Sequence, residues 1–138
     1  MRIVLDTNVL VSALLTPRRP AWKVYVRLVS GLDTPLVDER ILVEYEEVLC
    51  RPRFDFDPEE IRAVIEFFRT YVITVPSRHL TVALPHASDA PFVEVALAGH
   101  AEALITGNVR HFPARAMRGV PVLTAARFLK ELSRSESR

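Results

Sequence analysis

The sequence predicts an α/β fold, a three-layer α/β/α sandwich around a mainly parallel sheet. The first observation is a set of short apolar runs, Ile3–Leu5, Leu36–Val37, Ala103–Ile105 and Val120–Leu123, each followed by polar residues that favour caps and turns. The second is that segments of helical period lie between these runs, and strands alternating with helices argue for a parallel sheet covered on both faces. The third is scale. The chain has 138 residues with 49% hydrophobic and 25% charged residues, the ordinary globular mixture for one domain, and no repeat or linker divides it. A single domain over residues 1–132 and a polar tail over 133–138 are expected.

In chain order, Arg2–Leu5 reads as a buried strand that hands over at Asp6-Thr7-Asn8 to a helix from Val9 to Leu15, closed by Pro17 and Pro20. Trp22, Val26 and Val29 recur at helical spacing, giving a helix over Ala21–Leu32. Thr34–Val37 is a strand candidate, and Asp38 can cap a helix reaching about Cys50, before Pro52. Arg51–Asp57 reads as a loop. Asp57-Pro58-Glu59-Glu60 is a cap, a proline and an acidic first turn, opening a helix to about Thr70. Tyr71–Val75 is β-branched and extended, and Pro76–Ala87 is irregular. Ser88-Asp89 starts a helix to about Gly99. After the strands at Ala103–Ile105 and Val120–Leu123, Thr124 caps a helix to about Leu132, beyond which the chain frays.

Composition excludes several classes. Intrinsic disorder, collagen and whole-chain coiled coil do not fit it. No apolar run approaches the roughly 20 residues that span a bilayer, and no signal-peptide pattern opens the chain, so a cytoplasmic protein without membrane contact is expected. Cys50 alone provides neither a disulfide nor a multi-cysteine zinc site. The net charge of +1 hides an asymmetry: residues 1–69 carry ten Lys/Arg against twelve Asp/Glu, residues 70–138 eight against five. Sixteen of the eighteen basic residues are arginine, which suits phosphate contacts and also follows from biased base composition.

Open parallel sheets carry their ligand sites beyond the carboxyl ends of the strands. Asp6-Thr7-Asn8, Ser88-Asp89 and Thr106-Gly107-Asn108 fall at such points or at neighbouring helix starts. Each has a plain alternative: Asp6 and Asp89 as helix caps, Thr106-Gly107-Asn108 as a turn. On the helix after Asp38, Ile41, Tyr45, Val48 and Leu49 form an apolar stripe at about 100° per residue. Glu44 and Glu46 flank this stripe while Glu47 points nearly opposite, so period alone does not choose between Glu44 and Glu46.

These blocks resemble the PIN-domain family, small metal-dependent ribonucleases that include VapC-type toxins. The likeness runs through Ile3-Val4-Leu5-Asp6-Thr7-Asn8-Val9-Leu10, Leu42-Val43-Glu44 with Glu47-Val48-Leu49, Arg51-Pro52-Arg53, Ser88-Asp89-Ala90-Pro91-Phe92 and Ile105-Thr106-Gly107-Asn108, in order and with the right spacing. It spans Arg2 to about Leu129 and implies a PIN-like, Rossmann-like sandwich. The nearest look-alikes are toxin components of toxin–antitoxin pairs. The resemblance implies that Asp6, Glu44 and Asp89 are the catalytic carboxylates and hold Mg²⁺ or Mn²⁺, hard cations that take oxygen ligands. Asn108 departs from the family, which often has aspartate there. It can offer an oxygen or hold a water, so one tight metal site and a second, weak or substrate-dependent one are expected. Asn8 and Thr106 match supporting positions. Arg18, Arg19, Arg51, Arg53, Arg110 and His111 are candidate RNA contacts, whereas nothing marks His79 or His86 as catalytic.

The expected function is therefore hydrolysis of RNA phosphodiesters by a metal-dependent endoribonuclease, with an antitoxin protein as partner and a homodimer as the assembly. The helices at Trp22–Val29 and Ile61–Phe68 offer apolar candidates for the dimer contact. A catalytically weak PIN-fold module that binds RNA or protein is the alternative, supported by Asn108. A small magnesium-dependent phosphatase is the second, weakened because the aspartate usual two residues after the first is here Asn8.

Overall fold

The computed structural model describes residues 1–76 and 83–136. Four strands form one parallel sheet in the order β2-β1-β3-β4: β1 at Arg2–Leu5, β2 at Thr34–Pro35, β3 at Ala103–Ile105 and β4 at Val122–Leu123. Around it lie α1 (Thr7–Leu15), α2 (Pro20–Val29), α3 (Glu39–Leu49), α4 (Pro58–Arg69), α5 (Ala90–Ala98), α6 (Ala114–Met117) and α7 (Ala125–Glu136). The three-layer α/β sandwich expected from the sequence is what the chain forms.

The central pair is β1 and β3, with Ile3 opposite Ala103, Val4 opposite Leu104 and Leu5 opposite Ile105. All six of these side chains are buried, which is why both strands read as unbroken apolar runs. Pro35 lies in edge strand β2, where a missing N–H does no harm. The donors to β1 are the flanking residues, Thr34 N–H to the Met1 carbonyl and Leu36 N–H to the Ile3 carbonyl, both at 2.8 Å. The extended path continues past β2 to Val37, which bridges Val72 in parallel. Of the expected extended segment at Tyr71–Val75, that bridge is the paired part.

Cap chemistry sets the helix starts. The Asp38 carboxylate accepts the Ile41 N–H at 3.0 Å, and the Asp57 carboxylate accepts the Glu59 N–H at 2.9 Å with Pro58 in the first turn. α1 begins two residues earlier than the apolar run suggested, because Asp6 itself occupies the cap. α2 ends at Val29 and not Leu32, since Gly31 turns the chain with φ +82°. α7 continues through Ser133–Glu136, where fraying was expected, with Leu129 and Leu132 packed against the core. The sequence reading missed α6 and the 3₁₀ turns at Pro52–Phe54 and Val109–His111, pieces too short to show a period.

The core gathers both layers around the sheet, with Phe92, Phe128, Leu104 and Leu10 fully buried. Tyr45 of α3 packs edge-on against Phe68 of α4, ring centres 5.1 Å apart. Its hydroxyl donates to the Leu5 carbonyl at the end of β1. Met1 and Ile3 carbonyls are met by β2, but the chain has turned into α3 before it could meet Leu5, and Tyr45 fills that vacancy. Tyr45→Phe should therefore orphan a buried carbonyl and cost about 1–3 kcal/mol. Thermal unfolding should show a fall of several degrees, and an unchanged transition would mean that the carbonyl has another partner.

Candidate active site

The site is built where β1 ends. Asp6 follows directly on Leu5, is only 7% exposed and has both carboxylate oxygens engaged. Oδ1 accepts the Thr7 backbone N–H at 2.8 Å, and Oδ2 accepts the Thr106 hydroxyl at 2.7 Å. Thr106 follows β3 and is fully buried, so Asp6 ties the ends of the two central strands together. The Thr106 hydroxyl oxygen also accepts the Asn108 N–H at 3.0 Å, while Asn8 Oδ1 accepts the Gly107 N–H at 3.2 Å. The Thr106-Gly107-Asn108 turn is thus held against the start of α1 from two sides.

Glu44 enters from α3. It is half-buried and accepts the Thr7 hydroxyl. Thr7 therefore links two acids, giving its backbone N–H to Asp6 and its hydroxyl to Glu44. Glu46, which helical period could not separate from Glu44, is exposed and faces a groove between α3 and α4.

Asp89 enters on the 3₁₀ turn Ala87–Asp89 that leads into α5. It makes no capping hydrogen bond to that helix, so the plain cap reading fails. Its side chain is 16% exposed, and its Oδ2 is buried with no hydrogen-bond partner among the described residues. His111 Nδ1 lies 3.6 Å from that oxygen, beyond hydrogen-bond range. The His86 ring packs on that of His111 with centres 4.2 Å apart.

All three acids are held above the usual carboxylate range. Burial is the main cause for each. To it, the charge of Asp89 adds at Asp6, that of Asp6 at Glu44, and that of Glu44 at Asp89, a closed ring of repulsion. Hydrogen bonds from Thr106 and Thr7 counter it at Asp6 and Glu44, and His111 and His86 counter it at Asp89.

A family model, that of the PIN domain, matches residues 2–110, which covers every residue of this site but His111. The chain belongs to the PIN-domain family. PIN domains are nuclease-type folds that typically use divalent metal ions, and a nucleic acid is their class of substrate. No curated protein matches the chain. Among the described residues no helix is long and apolar enough to cross a membrane.

A divalent cation fits the acids of this PIN domain chemically. Among the described residues the buried Asp89 oxygen has no hydrogen-bond partner, and the three acids raise one another's pKa. No group of three or more His, Cys, Asp or Glu side chains among the described residues is arranged to hold a metal ion by itself. Magnesium-type sites do not need one, because such ions keep several waters and bind few carboxylates.

The remaining predicted residues are scattered. Asn108 is exposed and, with Asn8, Ser12, Thr106 and Thr124, lines a cleft of about 270 Å³ beside Asp6. Arg51 pairs with Glu47 at 3.3 Å, and its charge favours ionised Glu44. Arg53 lies over the Phe54 ring, 4.8 Å from its centre. Arg110 is exposed on the turn that carries His111. Arg18 and Arg19 are exposed in the α1–α2 connection. His86 is the neighbour that sequence reasoning passed over, its one signal being its place three residues before Asp89. His79 lies outside the described residues.

A carboxylate whose folded pKa is raised opposes folding above that pKa and ceases to do so below the unfolded value. Asp89→Asn should therefore raise the melting temperature in EDTA at neutral pH, by roughly 0.5–2 kcal/mol of stability. The gain should shrink as pH falls through the raised carboxylate range. A variant less stable than the native protein at pH 7 without metal would contradict the repulsive ring.

Proposed function

We propose that this PIN domain is a metal-dependent endoribonuclease acting in the cytoplasm as the toxin of a toxin–antitoxin pair. The observation that carries the reading is the Asp89 Oδ2 atom, a buried carboxylate oxygen with no hydrogen-bond partner among the described residues, in a ring of three acids. Asp6, Glu44 and Asp89 hold Mg²⁺ or Mn²⁺, and Asn108 serves a second, weaker position. When bound, such an ion activates water for attack on phosphorus and offsets charge on the transferring phosphoryl group.

The protein's own residues prepare this chemistry. Thr106 and the Thr7 N–H fix both oxygens of Asp6, and the Thr7 hydroxyl fixes Glu44, so the acids are oriented before substrate arrives. Asn8 holds Gly107 and thereby the wall of the adjoining cleft. Arg51, Arg53 and Arg110, with Arg18 and Arg19 farther along, supply positive charge for the RNA backbone, and His111 is a further contact to it. A homodimer uses apolar surface of α2 and α4, where Trp22, Tyr25, Val29 and Phe67 line a groove of about 420 Å³.

The exposed amide of Asn108, with no side-chain bond to the acids, favours a second reading, a catalytically weak RNA- or protein-binding module. Cleavage assays separate the two. Asp6→Asn and Asp89→Asn should each reduce metal-dependent cleavage of structured RNA at least a hundredfold, with circular dichroism unchanged. Cleavage that survives both changes, or persists in excess EDTA, would refute the metal-nuclease reading, and a native protein that does not cleave would favour the binding module.

Asn108→Asp places a nearly isosteric carboxylate beside the cluster, and carboxylate oxygen is the better ligand for a hard cation. The Mn²⁺ or Mg²⁺ concentration for half-maximal cleavage should fall several-fold, while melting in EDTA moves to lower temperature. If both curves stay in place, residue 108 lies outside the metal cluster.

A further inference from the structure

Beyond the acids, the site has an aromatic edge. His86 caps the 3₁₀ turn that carries Asp89, and His111 ends the 3₁₀ turn after Asn108. Their rings meet at 4.2 Å with a 48° tilt, so two separate loops are joined ring to ring beside Asp89. Among the described residues neither imidazole makes a hydrogen bond, and His111 stops 3.6 Å short of the Asp89 oxygen that lacks one. His86 is exposed while His111 is partly covered. The pair is thus a wedge with its inner ring against the acidic site and its outer ring toward solvent. The Tyr45 ring is fully buried and commits its hydroxyl to the Leu5 carbonyl.

We propose that His86, braced by His111, is the stacking platform for an unpaired nucleobase next to the scissile phosphate. The proposal rests on the nuclease reading above and adds a substrate-contact residue to it. An RNA phosphate seated for cleavage at the proposed site brings its flanking base to the rim where His86 lies. Stacking of unpaired bases on exposed rings is the usual way single-stranded RNA is gripped, and histidine serves as such a ring. In duplex RNA the base is already stacked and cannot use the platform. His86 is therefore a binding residue, with no proton transfer assigned to it.

The test uses a labelled single-stranded RNA oligonucleotide cleaved in Mn²⁺, and a matched set with one abasic ribose at each position flanking the cut. His86→Ala should raise KM about tenfold, in the range of one base–aromatic stack, with kcat within about twofold. His86→Phe, which keeps a ring and loses the ring nitrogens, should restore KM. One abasic position should reproduce the loss in the native protein and cost nothing further in His86→Ala. Fluorescence anisotropy of the same oligonucleotides with the Asp6→Asn protein should give the same ranking without cleavage. A lowered melting temperature with KM unchanged would make the pair a loop clamp and overturn the proposal. So would a His86→Phe variant as impaired as His86→Ala, or abasic losses that multiply with the alanine change. RNA cleavage that is indifferent to His86 would leave the nuclease reading standing and remove this one. A native protein that neither cuts nor binds the oligonucleotide would overturn both.

Discussion

One carboxylate at the end of the central strand governs the rest of the molecule. Asp6 must stay buried and ionisable at a point where burial alone would neutralise it. The fold meets this by giving each of its oxygens a donor, the Thr7 N–H and the Thr106 hydroxyl. Those two donors belong to the start of α1 and the end of β3, so one side chain fixes how the central strand pair opens into the site. The Tyr45 hydroxyl on the Leu5 carbonyl secures the same strand end from α3, the helix that delivers Glu44. Support of the sheet and placement of the acids are thus one set of bonds.

The acids are satisfied to different degrees. Asp6 has two donors and Glu44 has the Thr7 hydroxyl, whereas Asp89 keeps a buried oxygen without any. A buried acceptor left unpaired costs about 1–3 kcal/mol or more when charged. Such a cost persists where function needs the group free. His111 and His86 soften the charge of Asp89 without bonding to its orphaned oxygen, which leaves that oxygen open to a cation.

Much of this was legible in the sequence. The unbroken apolar runs of β1 and β3 announced a parallel sheet, because each lies buried in its centre. The caps at Asp38 and Asp57 were readable because their chemistry is local. Asp6 and Asp89 carried the same local signal, and only tertiary structure separates them: Asp6 caps and also reaches Thr106, whereas Asp89 caps nothing. Helical period could not separate Glu44 from Glu46, since both flank the stripe, and the distant Thr7 hydroxyl decides it. The His86–His111 contact joins loops far apart in the chain and has no local pattern. The short turns that carry those residues have no period to read.

In the proposed site, Asp6, Glu44 and Asp89 would hold one divalent cation, with the Asp89 oxygen that has no hydrogen bond as one of its ligands. Calorimetric titration of Mn²⁺ into the native protein and into Asp89→Asn at neutral pH tests it most directly. The account predicts saturable binding of about one tight ion per chain in the native protein, weakened at least tenfold in the variant. Equal binding by both proteins, or no saturable binding by the native one, would contradict it.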